Sequence, residues 1–204
     1  MEIKNIVFDL SEVIIMGYVG VEKLFEERTG ISSRDFLERR TELNDDWCEL
    51  MRGKMTEEQY WKKFLSGVEW PEVSVDLMER LIRRNMQIMV PGTLDLIYQL
   101  TQYRLILMSD HVRECMEFAL SRYKWMYGLF KARYFSYELG KLKGDPGAFE
   151  QMLTEQGINA DETIFIDDRQ DNVKVAMMMG IDSIIFTTAR ALEQELRERR
   201  IVLS

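Results

Sequence analysis

Five short apolar runs separated by helical patterns constrain the fold of this chain more than any other feature. They are "IKNIVF" at 3–8, "RLILM" at 104–108, "ARYF" at 132–135, "TIFI" at 163–166 and "DSIIF" at 182–186. Each is short, rich in β-branched or aromatic residues and almost uninterrupted by polar ones. Strands buried on both faces of a parallel sheet have this composition. Helical periodicity falls between and after the later runs, near 93–102, 112–125, 146–156, 170–179 and 188–198. The alternation predicts βαβ units and an α/β fold, a Rossmann-like doubly wound parallel sheet.

Residues 17–86 break that alternation. "VEKLFEERTG", "SSRDFLERRTELNDDWCELMRG", "TEEQYWKKFLSG" and "VSVDLMERLIRRN" each carry apolar residues at helical spacing. Gly30, Gly53 and Gly67 stand where helices would stop. Ser32 or Ser33 and Thr56 suit N-caps, and Gln59 completes a capping box with Thr56. The expectation is a bundle of about four helices at 17–86, inserted into an α/β core made of 1–16 and 87–204. Pro91-Gly92 marks the return to the sheet.

A chain of 204 residues with 46% hydrophobic and 30% charged residues has the make-up of a globular protein with a sizeable core. Its formal net charge of −8 argues against nonspecific binding to nucleic acid or an anionic membrane. Cys48 and Cys115 are far apart and form no CxxC pair, so free thiols in a reducing compartment are expected. No apolar run is long enough to span a bilayer, and no signal-peptide pattern precedes the first strand. We therefore expect a cytoplasmic protein.

In an open parallel sheet, ligands bind beyond the carboxyl ends of the strands, where the strand order reverses. Asp9 follows the first run. Ser109, Asp110 and His111 follow the second, Lys141 and Lys143 the third, Asp167 and Asp168 the fourth. An Asp after a strand is also an ordinary turn or capping residue. Such groups in order at successive strand ends are not explained by capping alone. A carboxylate such as Asp9 can attack phosphorus. Its approach to an anionic phosphate needs a divalent cation, and Mg²⁺ prefers the oxygen ligands that Asp9 and Asp167 or Asp168 offer. A lysine adds positive charge for phosphoryl oxygens, and the Ser109 hydroxyl adds a donor.

These stretches resemble the haloacid dehalogenase superfamily of hydrolases. "VFDLSEVI" is similar to the first motif of that family, "LILMSD" to the second, "YELGKLKGDPGAF" to the third and "FIDDRQDNVKVAMMMGI" to the fourth. The resemblance implies that Asp9 is the nucleophile and Lys143 the third-motif lysine. It places Ser109, with Asp110 beside it, in substrate binding. It implies Mg²⁺ as cofactor, held by Asp9, by Ser11 through its backbone carbonyl, and by Asp168, with Asp167 in an outer role. The inserted helices resemble the small helical cap of the family. "MRGKMTEEQYWKKF" is similar to a segment of sugar-phosphate-phosphatase-like members. The implied substrate is a small phosphorylated metabolite, such as a sugar phosphate.

Three positions depart from the pattern. Ser11 stands where phosphatases of the family carry a second Asp, the acid/base, and a hydroxyl has too high a pKa for that task. Asp110 stands where Asn is common; capping a helix from about Val112 is its alternative role. Gly144 replaces a proline. Glu12 is expected to be solvated, Lys141 to be a surface lysine, and His111 to be a surface residue at a helix start. The run Met177, Met178 and Met179 and the aromatics Trp47, Tyr60, Trp61, Phe64 and Trp70 are expected mainly in cores. "RLIRRN" is expected on a solvated face. Three functions stay open at this point. A Mg²⁺-dependent phosphatase leads. A dehalogenase using Asp9 on carbon, and a catalytically impaired fold that binds phosphorylated ligands, follow.

Overall fold

The first strand is buried at all four positions because it lies in the middle of the sheet. The structure is a computed structural model and describes residues 2–204, so residue 1 of the expected core lies outside the described residues. Strand β1 (Asn5–Phe8) is followed by helices α1 (Val21–Thr29), α2 (Ser33–Glu42), α3 (Asn44–Met51), α4 (Glu57–Ser66) and α5 (Val75–Asn85). Then come α6 (Thr93–Tyr98), β2 (Arg104–Ser109), α7 (Arg113–Arg122), α8 (Trp125–Leu129) and β3 (Ala132–Phe135). The chain ends with α9 (Ser136–Leu139), α10 (Pro146–Gln156), β4 (Thr163–Asp167), α11 (Gln170–Met178), β5 (Asp182–Ile185) and α12 (Ala189–Glu198).

All strand pairs are parallel, in the order β3-β2-β1-β4-β5. The chain winds outward from β1 through β2 and β3, then returns to the other side of β1 for β4 and β5. The order reverses between β1 and β4, and a crevice opens there beyond their carboxyl ends. Alternate strand residues serve two cores. Ile6, Phe8, Leu105, Leu107, Ile164 and Ile166 join one cluster with α6, α7, α12 and the inserted helices. Val7, Ile106, Met108 and Phe165 join a second with α10 and α11. This two-sided burial explains the uninterrupted apolar runs, each large side chain contributing about 1.5–3 kcal/mol.

The chain leaves and re-enters the sheet region through one short pairing. Met16 donates its N–H to the Ile88 carbonyl at 2.8 Å, and Val90 to the Ile14 carbonyl at 2.9 Å. Between these points stand five helices rather than four. The expected long helix over 32–53 breaks at Leu43, whose φ of −103° and ψ of 28° leave the helical basin. Leu43, Trp47 and Leu50 are all buried across the break, and Thr41, Asn44, Asp45 and Asp46 around it are weak helix formers. The caps follow chemistry: Ser32 accepts from Asp35 N–H, and Thr56 forms a capping box with Gln59. Gly53 has φ +72°, and a Cβ there would lie 2.6 Å from the Tyr137 carbonyl oxygen. Only glycine allows the inserted helices to approach α9 so closely at that point.

Three other expectations are corrected. Arg83 of "RLIRRN" turns inward, at 2.5 Å from Glu57, which is 1% exposed. Met177 and Met178 are 59% and 78% exposed, and only Met179 packs against a core, because the outer side of α11 faces away from the sheet. Lys141 is half-buried and donates to the Gly147 carbonyl and Gln151, away from the crevice. Among the described residues no helix is long and apolar enough to cross a membrane.

Candidate active site

Asp9 emerges where β1 ends, its N–H still bound to the Ile166 carbonyl of β4 at 2.9 Å. The last ladder bond thus fixes the backbone that carries the carboxylate. Lys143 reaches the same place from the loop between α9 and α10. Its ammonium lies 2.7 Å from Asp9 Oδ1 and 2.6 Å from Asp167 Oδ2, with all three side chains buried. The contact with Asp9 is an ion pair without hydrogen-bond direction; that with Asp167 is a hydrogen bond. Asp167 is saturated: Oδ1 accepts from Arg169 N–H at 2.8 Å and Asn172 Nδ2 at 3.0 Å, and Oδ2 from Lys143 and Asn172. Asp168 is half-buried on the turn that follows.

One oxygen each from Asp9, Asp167 and Asp168 lies within 4.8 Å of the others. Burial raises Asp9 well above the usual carboxylate range, Lys143 opposes this, and the charges of Asp167 and Asp168 add to it. Burial, then Asp167, raises Asp168. Burial would lower the Lys143 ammonium, but Asp167, Asp9 and Asp110 outweigh it and keep it charged. Several carboxylates therefore face one ammonium. The donor set is all hard oxygen and carries an excess of negative charge, which fits a divalent cation such as Mg²⁺.

Ser109 ends β2 with its hydroxyl buried and without a hydrogen-bond partner among the described residues. Asp110 does not cap α7, whose N-cap is Val112. Both Asp110 oxygens instead accept the Lys143 backbone N–H, at 3.0 and 3.1 Å. That bond ties the lysine loop to the tip of β2. Ser11 is buried, and its hydroxyl also lacks a partner among the described residues. Gly17 packs on it so closely that a Cβ would fall 2.6 Å from Ser11 Oγ.

Two residues depart from their expected exposure. Glu12 is not solvated: at φ +60° it folds back, and its Oε1 accepts the N–H groups of Gly17 at 2.9 Å and Val19 at 3.1 Å. Burial raises its pKa despite those donors. His111 is fully buried under Tyr18, ring centroids 5.2 Å apart. Its Nδ1 accepts from Val112 N–H, and burial lowers it to about 4. Both differences have one cause: the 17–19 turn and the inserted helices cover the strand tips.

Asp9, Ser11, Asp110, Lys143 and Asp168 line one cavity of about 400 Å³. Tyr18, Arg40, Trp47 and Met51 close it from the side of the insertion. Sequence reasoning assigned no role to Asn172, although its place five residues after Asp167, one helical turn in, was the available signal. Arg40 and Tyr18 gave none.

A family profile for haloacid dehalogenase-like hydrolases matches residues 3–180. The chain belongs to this family. It is therefore a hydrolase with the α/β fold described above, as the resemblance implied. A haloacid dehalogenase family enzyme of Bacteroides thetaiotaomicron, solved with magnesium and inorganic phosphate, superposes with a TM-score of 0.70 at 22% identity. The match covers 91% of this chain and 95% of that one. A 2-haloacid dehalogenase from Pseudomonas syringae gives a TM-score of 0.61 at 16% identity, over 90% of this chain and 86% of that one. Both likenesses are of fold. A flavin mononucleotide hydrolase of Arabidopsis thaliana, a chloroplastic protein, is 35% identical over 65 residues. That match spans 32% of this chain and 26% of the relative's length.

Proposed function

We propose that this hydrolase cleaves a small phosphomonoester, with Asp9 as nucleophile and the helices at 17–86 as a cap over the site. The observation that carries this reading is the buried cluster in which one ammonium, Lys143, joins Asp9 to Asp167 beside Asp168. In the first step an Asp9 oxygen bonds to phosphorus and the ester P–O bond breaks, so the alcohol leaves with its electron pair. In the second, water attacks the aspartyl-phosphate, releasing inorganic phosphate and restoring Asp9. Lys143 holds the nucleophile in place and faces the phosphoryl oxygens; the Ser109 hydroxyl donates to one of them. Asp9, Asp168 and the Ser11 carbonyl would hold Mg²⁺, with Asp167 orienting the lysine. The cation would offset the charge repulsion between carboxylate and phosphate.

Ser11 cannot protonate the leaving group near neutrality. The proton comes from water in the cavity, so esters of acidic alcohols are the better substrates. Support for a phosphate ester also comes from the activity named for the flavin mononucleotide hydrolase relative and from the phosphate in the Bacteroides complex. Metal-free attack on carbon fits poorly with three carboxylates inside 4.8 Å. Ser11 favours one further reading, a fold that binds phosphorylated ligands without turnover. A panel of phosphate esters with and without Mg²⁺ separates the three. Phosphate release that needs Mg²⁺ and is lost in Asp9→Asn supports the proposal. Halide release from 2-haloacids without metal supports the dehalogenase. Binding with no turnover supports the impaired fold.

A further inference from the structure

The far wall of the cavity carries an arginine that the proposed chemistry does not use. Arg40 of α2 is half-buried and lines the same cavity as Asp9 and Lys143. Its neighbours Arg34 and Arg39 pair with Glu38 and Glu42. Among the described residues Arg40 has no carboxylate within ion-pairing distance; its guanidinium lies 4.7 Å from the centre of the Trp47 ring. Arg40 lies near enough to Glu12 to favour its charged form, but the two form no ion pair.

Trp47 gives Arg40 a fixed seat. Tyr18 packs edge-on to it at 4.6 Å and Tyr60 at 5.2 Å, so the indole cannot turn. With these contacts and Arg40 over one face, Trp47 is only 8% exposed and offers no open surface for a planar substrate. What this wall presents is a pre-oriented cation with free N–H donors, and such a group recognises carboxylate or phosphate.

We propose that Arg40 forms a distal anion subsite, and that the substrate is a phosphomonoester bearing a second anionic group, a carboxylate or a phosphate, at its other end. The inference rests on the phosphatase reading above. Its test is a matched series: propyl phosphate, 3-(phosphonooxy)propanoate and propane-1,3-bisphosphate, with phosphate release measured at saturating Mg²⁺. The wild type is expected to favour at least one anionic tail over propyl phosphate by about tenfold or more in kcat/KM, mainly through KM. The tail with the larger preference identifies the anion. Arg40→Met is expected to collapse the ratio to within about twofold, whereas Arg34→Met on the same helix retains it. Arg40→Gln reads the same ratio if the Met variant does not fold. Equal kcat/KM across the series in wild type, or a ratio unchanged in both Arg40 variants, overturns the subsite while leaving phosphatase activity intact. If the wild type releases phosphate from none of the three, their basic alkoxide leaving groups account for it, and the panel of phosphate esters above decides the phosphatase reading. Calorimetric titration of the same compounds then decides the subsite: an affinity gain for the anionic tail that Arg40→Met removes supports it, and equal affinities overturn it.

Discussion

The two walls of the cavity are held by different physics. The sheet wall is polar and over-determined. Asp9, Lys143 and Asp167 are fixed by strand register and by each other, and Asp110 and Asn172 brace them. The inserted wall is aromatic. Tyr18, Trp47, Tyr60, Trp61 and Phe64 pack ring against ring, and a buried ion pair, Glu57 with Arg83, is set among them. Few hydrogen bonds cross between the walls, among them Ser136 Oγ to the Met51 carbonyl and Glu57 N–H to Glu114. On the proposed chemistry, the first wall needs one fixed geometry. The second is held by ring packing that the proposed steps do not use.

The sharpest way to break this contrast is to strike one ion pair in each wall. Lys143→Met leaves Asp9 and Asp167 buried without their cation. It should destabilise the fold by about 3–5 kcal/mol and lower turnover at least about 10²-fold even where the protein is folded. Glu57→Ala leaves Arg83 and the Trp61 indole N–H without their carboxylate. It should cost about 3 kcal/mol, the Arg83 end being partly solvated, yet leave kcat within about threefold below its melting temperature. Thermal melts and initial rates on both variants check this; a large kcat loss in Glu57→Ala would erase the distinction.

A smaller effect separates the buried histidine from both walls. In the unfolded chain His111 takes up a proton near its ordinary 6.5, whereas in the fold it does so only near 4. Between those values the unfolded state binds more protons, so this group makes stability fall as pH is lowered from 6.5 towards 4. Denaturant melts should show wild type losing about 2 kcal/mol more than His111→Asn between pH 7 and 4.5. Equal losses would place the imidazole in water. The smallest effect belongs to the exposed methionines: Met178→Gln should change stability by less than about 0.5 kcal/mol.

The sheet was legible because buried parallel strands leave so little freedom of composition: "ARYF" at 132–135 coincides with β3, and the others differ by a residue or two at their ends. The convergence of Asp9, Lys143, Asp167 and Asp168 was legible because each follows a strand, although the choice of Lys143 over Lys141 came from the family resemblance. What escaped was mainly tertiary. The break at Leu43 falls where Thr41, Asn44, Asp45 and Asp46 weaken a helix, a signal masked by the apolar spacing that continues across it. The short helices α8 and α9 have too few residues to show a period. The burial of His111 and Glu12 depends on how residues 17–86 lie over the strand tips, and the inward turn of Arg83 on how α5 packs on α4; no local pattern encodes either. Arg40 reads as one more charge on an exposed helix until Trp47 is seen beneath it.

The central claim is that Asp9 bonds covalently to phosphorus. Rapid acid quench of a single turnover with a ³²P-labelled ester and Mg²⁺ tests it most directly. Transient label is expected on the wild-type protein, released by hydroxylamine as an acyl phosphate must be, and none on Asp9→Asn. Turnover with no protein-bound label at any time, or with undiminished label on Asp9→Asn, would contradict it.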